Sequence, residues 1–184
     1  MPYFFIKVVV LGDPCINKRA LLRPFIEKYK WPKHFPTPLS TDLYLLPSFI
    51  KIMKDVELKM IFFIPRFAVG ELWKKEFYER SSAVIFFYDT SSIFTLEYLS
   101  NVINDINQFI SPSKPKILCG VKSKTDTIDT ADNEVSILNE AEALAQKHSF
   151  VNCEVEKGDL TQFEQVILDL ADKVVKSLPN LQES

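Results

Sequence analysis

The sequence predicts a three-layer α/β domain: a six-stranded, mostly parallel sheet with one antiparallel edge strand, covered by helices on both faces. Three observations carry this. Near-continuous apolar runs of strand length, such as Tyr3–Leu11 and Val84–Tyr88, need burial on both faces, as parallel strands have. Between such runs stand segments with apolar residues at helical spacing. Two extended runs, Asp42–Met53 and Val56–Ile64, are parted only by the polar Lys54-Asp55, the spacing of an antiparallel hairpin.

Taken in order, Tyr3–Leu11 reads as a buried strand and Lys18–Tyr29 as a helix with Leu21, Leu22, Phe25, Ile26 and Tyr29 on one face. Pro24 lies inside that helix and is expected to kink or shorten it. The proline-spotted stretch Trp31–Thr41 reads as a loop. Pro47 cannot donate to a ladder, so the strand over Asp42–Met53 belongs at a sheet edge or carries a bulge. A short helix near Glu71–Arg80 precedes the buried strand Ala83–Tyr88. The next helix carries Leu96, Leu99, Ile103, Ile106 and Ile110 inward, and the strand Lys116–Val121 follows. Then come a helix with Val135, Leu138, Ala141, Leu144 and Ala145 inward and the strand Phe150–Val155. Thr161-x-x-Glu164 is a capping-box pattern that opens the last helix, which buries Phe163, Val166, Ile167, Leu170 and Val174.

At 184 residues the chain is long enough for one well-buried core and short for two domains. No linker or repeat divides it, so we read residues 1–178 as a single domain and 179–184 as a short tail. An apolar content of 47% and a net charge of −2 describe a globular protein with no nucleic-acid-coating surface. No apolar run approaches the roughly 20 residues of a membrane span, and the N-terminus lacks signal-peptide features. Cys15, Cys119 and Cys153 form no CxxC, which points to a reducing compartment, with Cys119 and Cys153 as core residues. Only His34 and His148 are present, with no carboxylate or thiol cluster at metal-ligand spacing, so zinc or Ser-His-Asp chemistry has almost no support.

The segment LGDPCINKRAL, Leu11 to Leu21, sits between the first strand and the first helix, the setting of a phosphate-binding loop. That loop pattern asks for Gly, four residues, then Gly-Lys-Ser/Thr. Here Gly12 and Lys18 are in place, while Asn17 and Arg19 replace the second glycine and the hydroxyl residue. Asparagine tolerates left-handed backbone better than most residues, so Asn17 is a mild change. Arg19 is a severe one, because the hydroxyl at that point should ligate Mg²⁺ and a guanidinium repels it. Two readings stand: Lys18 and Arg19 contact phosphate without metal, or they are a solvated helix N-terminus.

The element order and three further segments resemble the Ras/Rab superfamily of small GTPases over residues 3 to 178. FYERSSAVIFFYDTSSIFTLEYL is similar to the Rab strand that runs through YD into a Ser-Phe-rich helix start. KILCGVKSKTD resembles the base-recognition strand and its Asn-Lys-x-Asp motif, and NEAEALAQKHSFVNCEVEKGDLTQFEQV the last helix–strand–helix unit. Within the superfamily, GDPCINKRALLRPF, HFPTPLSTDL, DVELKMIFF, GELW and TQFE look closest to the Rab-like subunit of intraflagellar transport complex B.

The resemblance implies the P-loop small G-protein fold and a nucleotide-binding set of Gly12, Asn17, Lys18, Arg19, Lys124 and Asp126. Asp126 would accept the guanine N1–H and N2–H pair, Lys124 would lie along the base, and Ser123 replaces the usual asparagine. The metal and hydrolysis side is depleted. No aspartate occurs between Asp55 and Asp89, so the Asp-x-x-Gly that holds Mg²⁺ is missing. Gly70-Glu71 aligns with the family's Gly-Gln in one register, and a register one position later loses even that glycine. Thr37 and Thr41 both reach the position of the switch-I threonine. Trp31 and Trp73 fall in the segments that would be switch loops, either as interface anchors or, the preferred reading, as core.

The resemblance and these losses together imply a pseudo-GTPase, with no catalytic residues, that serves as a protein-binding subunit of a multi-subunit complex. It would bind GTP or GDP weakly or not at all, without Mg²⁺. The last thirty residues hold no cysteine for prenylation, so membrane contact is expected only through partners. The implied address is cytoplasmic, with the cilium as its narrower form. The alternative is an atypical GTP-binding switch with very slow hydrolysis. A receiver-like signalling domain with Asp89 as phosphoacceptor is a third reading. It lacks the acidic cluster such a domain needs, since Asp13 is the only acidic residue in the loop directly after the first strand.

Overall fold

Strand and helix alternate along the chain, and a computed structural model describes residues 3–29, 43–53, 56–65, 71–122 and 131–177. The strands are β1 (Tyr3–Gly12), β2 (Leu43–Met53), β3 (Val56–Pro65), β4 (Ala83–Asp89), β5 (Lys116–Lys122) and β6 (Val151–Glu156). The helices are α1 (Lys18–Lys28), α2 (Glu71–Glu79), α3 (Ile93–Ile106), α4 (Ala131–His148) and α5 (Leu160–Lys176). The sheet order is β2-β3-β1-β4-β5-β6. From β3 to β6 every neighbouring pair is parallel, and β2 pairs antiparallel with β3. Pro47 lies on β2, the terminal strand, opposite Ile61.

Two apolar clusters hold the three layers together. On one face Leu22 and Phe25 of α1 and Phe163, Ile167, Leu170 and Val174 of α5 cover Val8, Val10, Ile85 and Phe87. On the other, Tyr78 of α2, Leu99 and Ile103 of α3 and Ala141 of α4 cover Val9, Val84, Phe86 and Leu118. The alternation of Val8, Val9 and Val10 between clusters is the two-residue period of a strand buried on both sides. Each large side chain so buried contributes about 1.5–3 kcal/mol.

Close approach fixes one glycine in the sheet. Tyr88 and Gly120 are register partners, and a Cβ on Gly120 would lie 2.7 Å from the Tyr88 hydroxyl and 2.9 Å from Thr90 Cγ2. Among the described residues no helix is long and apolar enough to cross a membrane.

Several expectations need correction. The first helix runs unbroken from Lys18 to Lys28 with Pro24 inside it. Packing of Leu22 and Phe25 on the sheet outweighs the one backbone bond that proline removes. Helix α3 ends at Ile106, and Ile110 is buried in the turns that follow, its amide bonded to the Ile106 carbonyl. On α4 the inward face is set by Ile137, Ala141 and Ala145, four residues apart, while Val135 is 58% exposed and Leu138 half-buried. The cap of α5 is Asp159, whose carboxylate accepts from the Thr161 and Gln162 amides. Thr161 is therefore already helical. Glu164 instead accepts from Lys28 at 2.6 Å and from the Tyr29 hydroxyl, which ties α1 to α5. Cys119 is core, but Cys153 on the terminal strand is only half-buried.

Candidate functional site

The carboxyl ends of β1, β4, β5 and β6 meet at one rim of the sheet, where ligands of open α/β sheets bind. Gly12 closes β1 there beside Phe87 of β4. Its φ is +155°, and a Cβ would meet the Phe87 carbonyl oxygen at 2.6 Å, so only glycine fits.

From Gly12 the chain turns through Asp13–Asn17 into α1, and the amides of Cys15, Ile16 and Lys18 bond within the loop. The Asp13 carboxylate accepts from the Cys15 amide at 2.8 Å, and its carbonyl accepts from the Ile16 amide at 3.0 Å. Pro14 carries no amide hydrogen. The Lys18 amide donates to the Ile16 carbonyl at 2.8 Å. Asn17 caps α1 by accepting from the Ala20 amide at 3.0 Å. Its φ of −75° lies outside the left-handed region, so its value here is as a cap and its tolerance of left-handed backbone is not used.

Lys18 is 8% exposed and turned into the loop. Its ammonium donates to the carbonyls of Gly12 at 2.8 Å and Asp13 at 2.9 Å, and lies 3.5 Å from that of Ile16. Burial pushes its pKa below the ordinary lysine value, opposed by the charge of Asp13. Arg19 is exposed on the first turn of α1. Its guanidinium offers no metal ligand where the phosphate-loop pattern has a hydroxyl, and among the described residues no three His, Cys, Asp or Glu side chains converge to hold a cation. Among the described residues the first turn of α1 offers no side-chain ligand for Mg²⁺.

Beside the loop lies a cavity of about 340 Å³, within the range of small-ligand sites. Leu21 and Pro24 of α1, Val121 of β5, Val155 of β6 and Phe163 of α5 form its apolar wall, with Asp89, Lys157 and Asp159 among its polar groups. The Asp89 carboxylate is engaged locally, accepting from the Ser91 amide at 2.8 Å and the Ser91 hydroxyl at 2.6 Å. Hydrogen bonding to Asp13 raises the Cys15 thiol above its ordinary pKa, so the exposed cysteine of the loop is not an activated nucleophile.

The structure thus brings Gly12, Asn17, Lys18 and Arg19 together at one rim. Lys124, Asp126, Ser123, Thr37, Thr41, Trp31, His34 and Gly70 lie outside the described residues, as does the side chain of Trp73. Reading the sequence missed Asp13 as the anchor of the loop and Asp159 as both cap and cavity wall. Asp159-x-x-Gln162, two positions before the expected box, carried the second signal. The Gln162 side chain does reach back, to the Glu156 amide at 3.1 Å. The Ras family model matches residues 7–176. No curated protein matches the chain.

Proposed function

The chain belongs to the Ras family, and we propose that it works there as a pseudo-GTPase: a small-GTPase fold used as a protein-binding subunit, with weak or no affinity for guanine nucleotide and no appreciable hydrolysis. The observation that carries this is the internal bonding of the loop between β1 and α1, where three amides and the Lys18 ammonium bond to the loop itself. Nucleotide binding at such a loop uses backbone amides aimed at phosphate and a lysine reaching the β/γ oxygens. Here the amides of Cys15 and Ile16 are bonded to Asp13, and the short contacts of Lys18 go to carbonyls of its own loop. A phosphate competes with Asp13 for the amides of Cys15 and Ile16 and finds only the third Lys18 N–H without a short bond, with no metal to offset its charge.

Loss of the metal-side residues supports the same reading. Arg19 stands for the hydroxyl, and the stretch from Val56 to Tyr88 contains no aspartate. The partner class rests on the segments that resemble the intraflagellar-transport subunit, which makes a multi-subunit complex of the cilium the expected setting. The cavity bounded by Leu21, Val121 and Phe163 favours a second reading, an atypical switch that holds guanine nucleotide chiefly by its base, through Lys124 and Asp126. Titrating the purified protein with GTP and following phosphate release decides between them. The pseudo-GTPase reading expects no turnover above background. Turnover that disappears in Lys18→Ala overturns it.

A further inference from the structure

Two of the three free thiols face each other across adjacent strands. Cys119 of β5 and Cys153 of β6 are register partners, and both side chains pack on the cluster beneath α1 and α5. Neighbouring strands lie about 4.8 Å apart, inside the 4.4–6.8 Å Cα separation a disulfide accepts. The Cys153 thiol donates to the Leu118 carbonyl of β5 at 3.8 Å, which places its sulfur on the side of the neighbouring strand.

The partners differ in access. Cys119 is fully buried, while Cys153 is half-buried and lines a cavity of about 240 Å³ between β6 and α5, with Ile117, Val166, Asp169 and Lys173 around it. A molecule little larger than water, which occupies about 30 Å³ in the liquid, enters such a space.

We propose that Cys119 and Cys153 form a peroxide-oxidisable dithiol, in which Cys153 is oxidised first and Cys119 closes a disulfide between β5 and β6. The Cys153 sulfur attacks one oxygen of hydrogen peroxide and the O–O bond breaks. Hydroxide leaves and takes up the thiol proton as water, and Cys153 becomes a sulfenic acid. The Cys119 sulfur then attacks the Cys153 sulfur, the S–O bond breaks, and a second water carries away the Cys119 proton. Two thiols and one peroxide thus give one disulfide and two waters, and a dithiol reductant reverses the change.

Access sets the order of attack: Cys153 is half-buried and borders the cavity, whereas Cys119 is fully buried. Burial also raises the Cys119 thiol above its ordinary pKa. The bridge stands three residues before Lys122 and Glu156, where β5 and β6 reach the rim of the candidate site. Neither thiol belongs to the β1–α1 loop, so the pair stands whether or not nucleotide binds.

The full chain is treated with hydrogen peroxide at neutral pH, denatured in alkylating agent and mapped by peptide mass spectrometry. The expected product is a Cys119–Cys153 linked peptide pair, lighter by two hydrogens, restored to two alkylated cysteines by dithiothreitol. In Cys119→Ala, dimedone is expected to trap a sulfenic acid at Cys153. Both thiols remaining alkylatable, or a linkage through Cys15 instead, overturns the proposal. So does dimedone labelling of folded Cys119→Ala at Cys15 alone. Should Cys119→Ala fail to fold, the wild-type linkage map decides.

Discussion

Lys18→Met keeps the apolar stem of the side chain and removes the ammonium that closes the β1–α1 loop. That ammonium donates to Gly12 and Asp13 carbonyls at 2.8 and 2.9 Å, with the Ile16 carbonyl more distant at 3.5 Å. Bonds from a charged donor contribute roughly 1.5–3 kcal/mol each, so losing the two short ones costs about 3–6 kcal/mol gross. Removing a buried ammonium offsets part of this, since burial disfavours the charge and already lowers the Lys18 pKa. The net loss expected is about 1–3 kcal/mol. In a domain of this size each kcal/mol lowers Tm by roughly 2–4 °C.

The assay is urea unfolding of nucleotide-stripped wild type and Lys18→Met, read by fluorescence and by circular dichroism. The midpoint should fall with the slope unchanged. A lysine kept only to meet phosphate would leave the stripped protein indifferent to its removal. Equal stability of the two proteins, within about 0.5 kcal/mol, refutes a structural lysine.

Other residues give sharper local tests. Arg19→Ser returns the hydroxyl but not the missing aspartate, so GTP affinity measured calorimetrically should gain no Mg²⁺ dependence; a metal-dependent gain of about tenfold, roughly 1.4 kcal/mol, would restore the switch reading. Gly120→Ala drives a Cβ against the buried Tyr88 ring and should cost about 1–3 kcal/mol in denaturant titrations. Asp159→Ala removes the α5 cap and should cost roughly 0.5–2 kcal/mol, whereas Thr161→Ala should cost less than about 0.5 kcal/mol; the reverse order would return the cap to Thr161. Lys7 donates to the Phe77 carbonyl, with its ammonium 4.7 and 4.6 Å from the Phe63 and Phe77 ring centroids. Burial, with Arg80, pushes its pKa from 10.5 down to about 8. Between those values the unfolded chain keeps a proton the folded chain has shed, so wild-type stability should rise with pH relative to Lys7→Met, and a flat difference contradicts it.

Long periodic segments were legible because burial on one or two faces leaves a period that local chemistry does not blur. Val8, Val9 and Val10 announce a strand buried twice, and Leu99 and Ile103 a helix buried once. The features that stayed hidden were settled by competition between neighbours. On α4, Val135 and Ile137 are equally apolar, and only the placement of the helix against β5 and β6 selects Ile137. At α5, two acceptor residues stand two positions apart, and Asp159 wins the amides while Glu164 is claimed by Lys28 and Tyr29 from another helix. The candidate site shows the same limit. Spacing put Gly12 and Lys18 at the two ends of the turn between β1 and α1, where they stand, but spacing does not tell where a lysine points. That Lys18 turns onto the Gly12 and Asp13 carbonyls is a matter of side-chain direction, which the phosphate-loop pattern does not specify.

The nucleotide content of the purified protein tests the pseudo-GTPase account most directly. The protein is purified without chelator and denatured, and any released nucleotide is identified by ion-exchange chromatography. The account predicts little or none, and a folded protein whose Tm is not raised by added GTP with Mg²⁺. One equivalent of GDP or GTP per chain would contradict it and make Lys18, Lys124 and Asp126 working ligands.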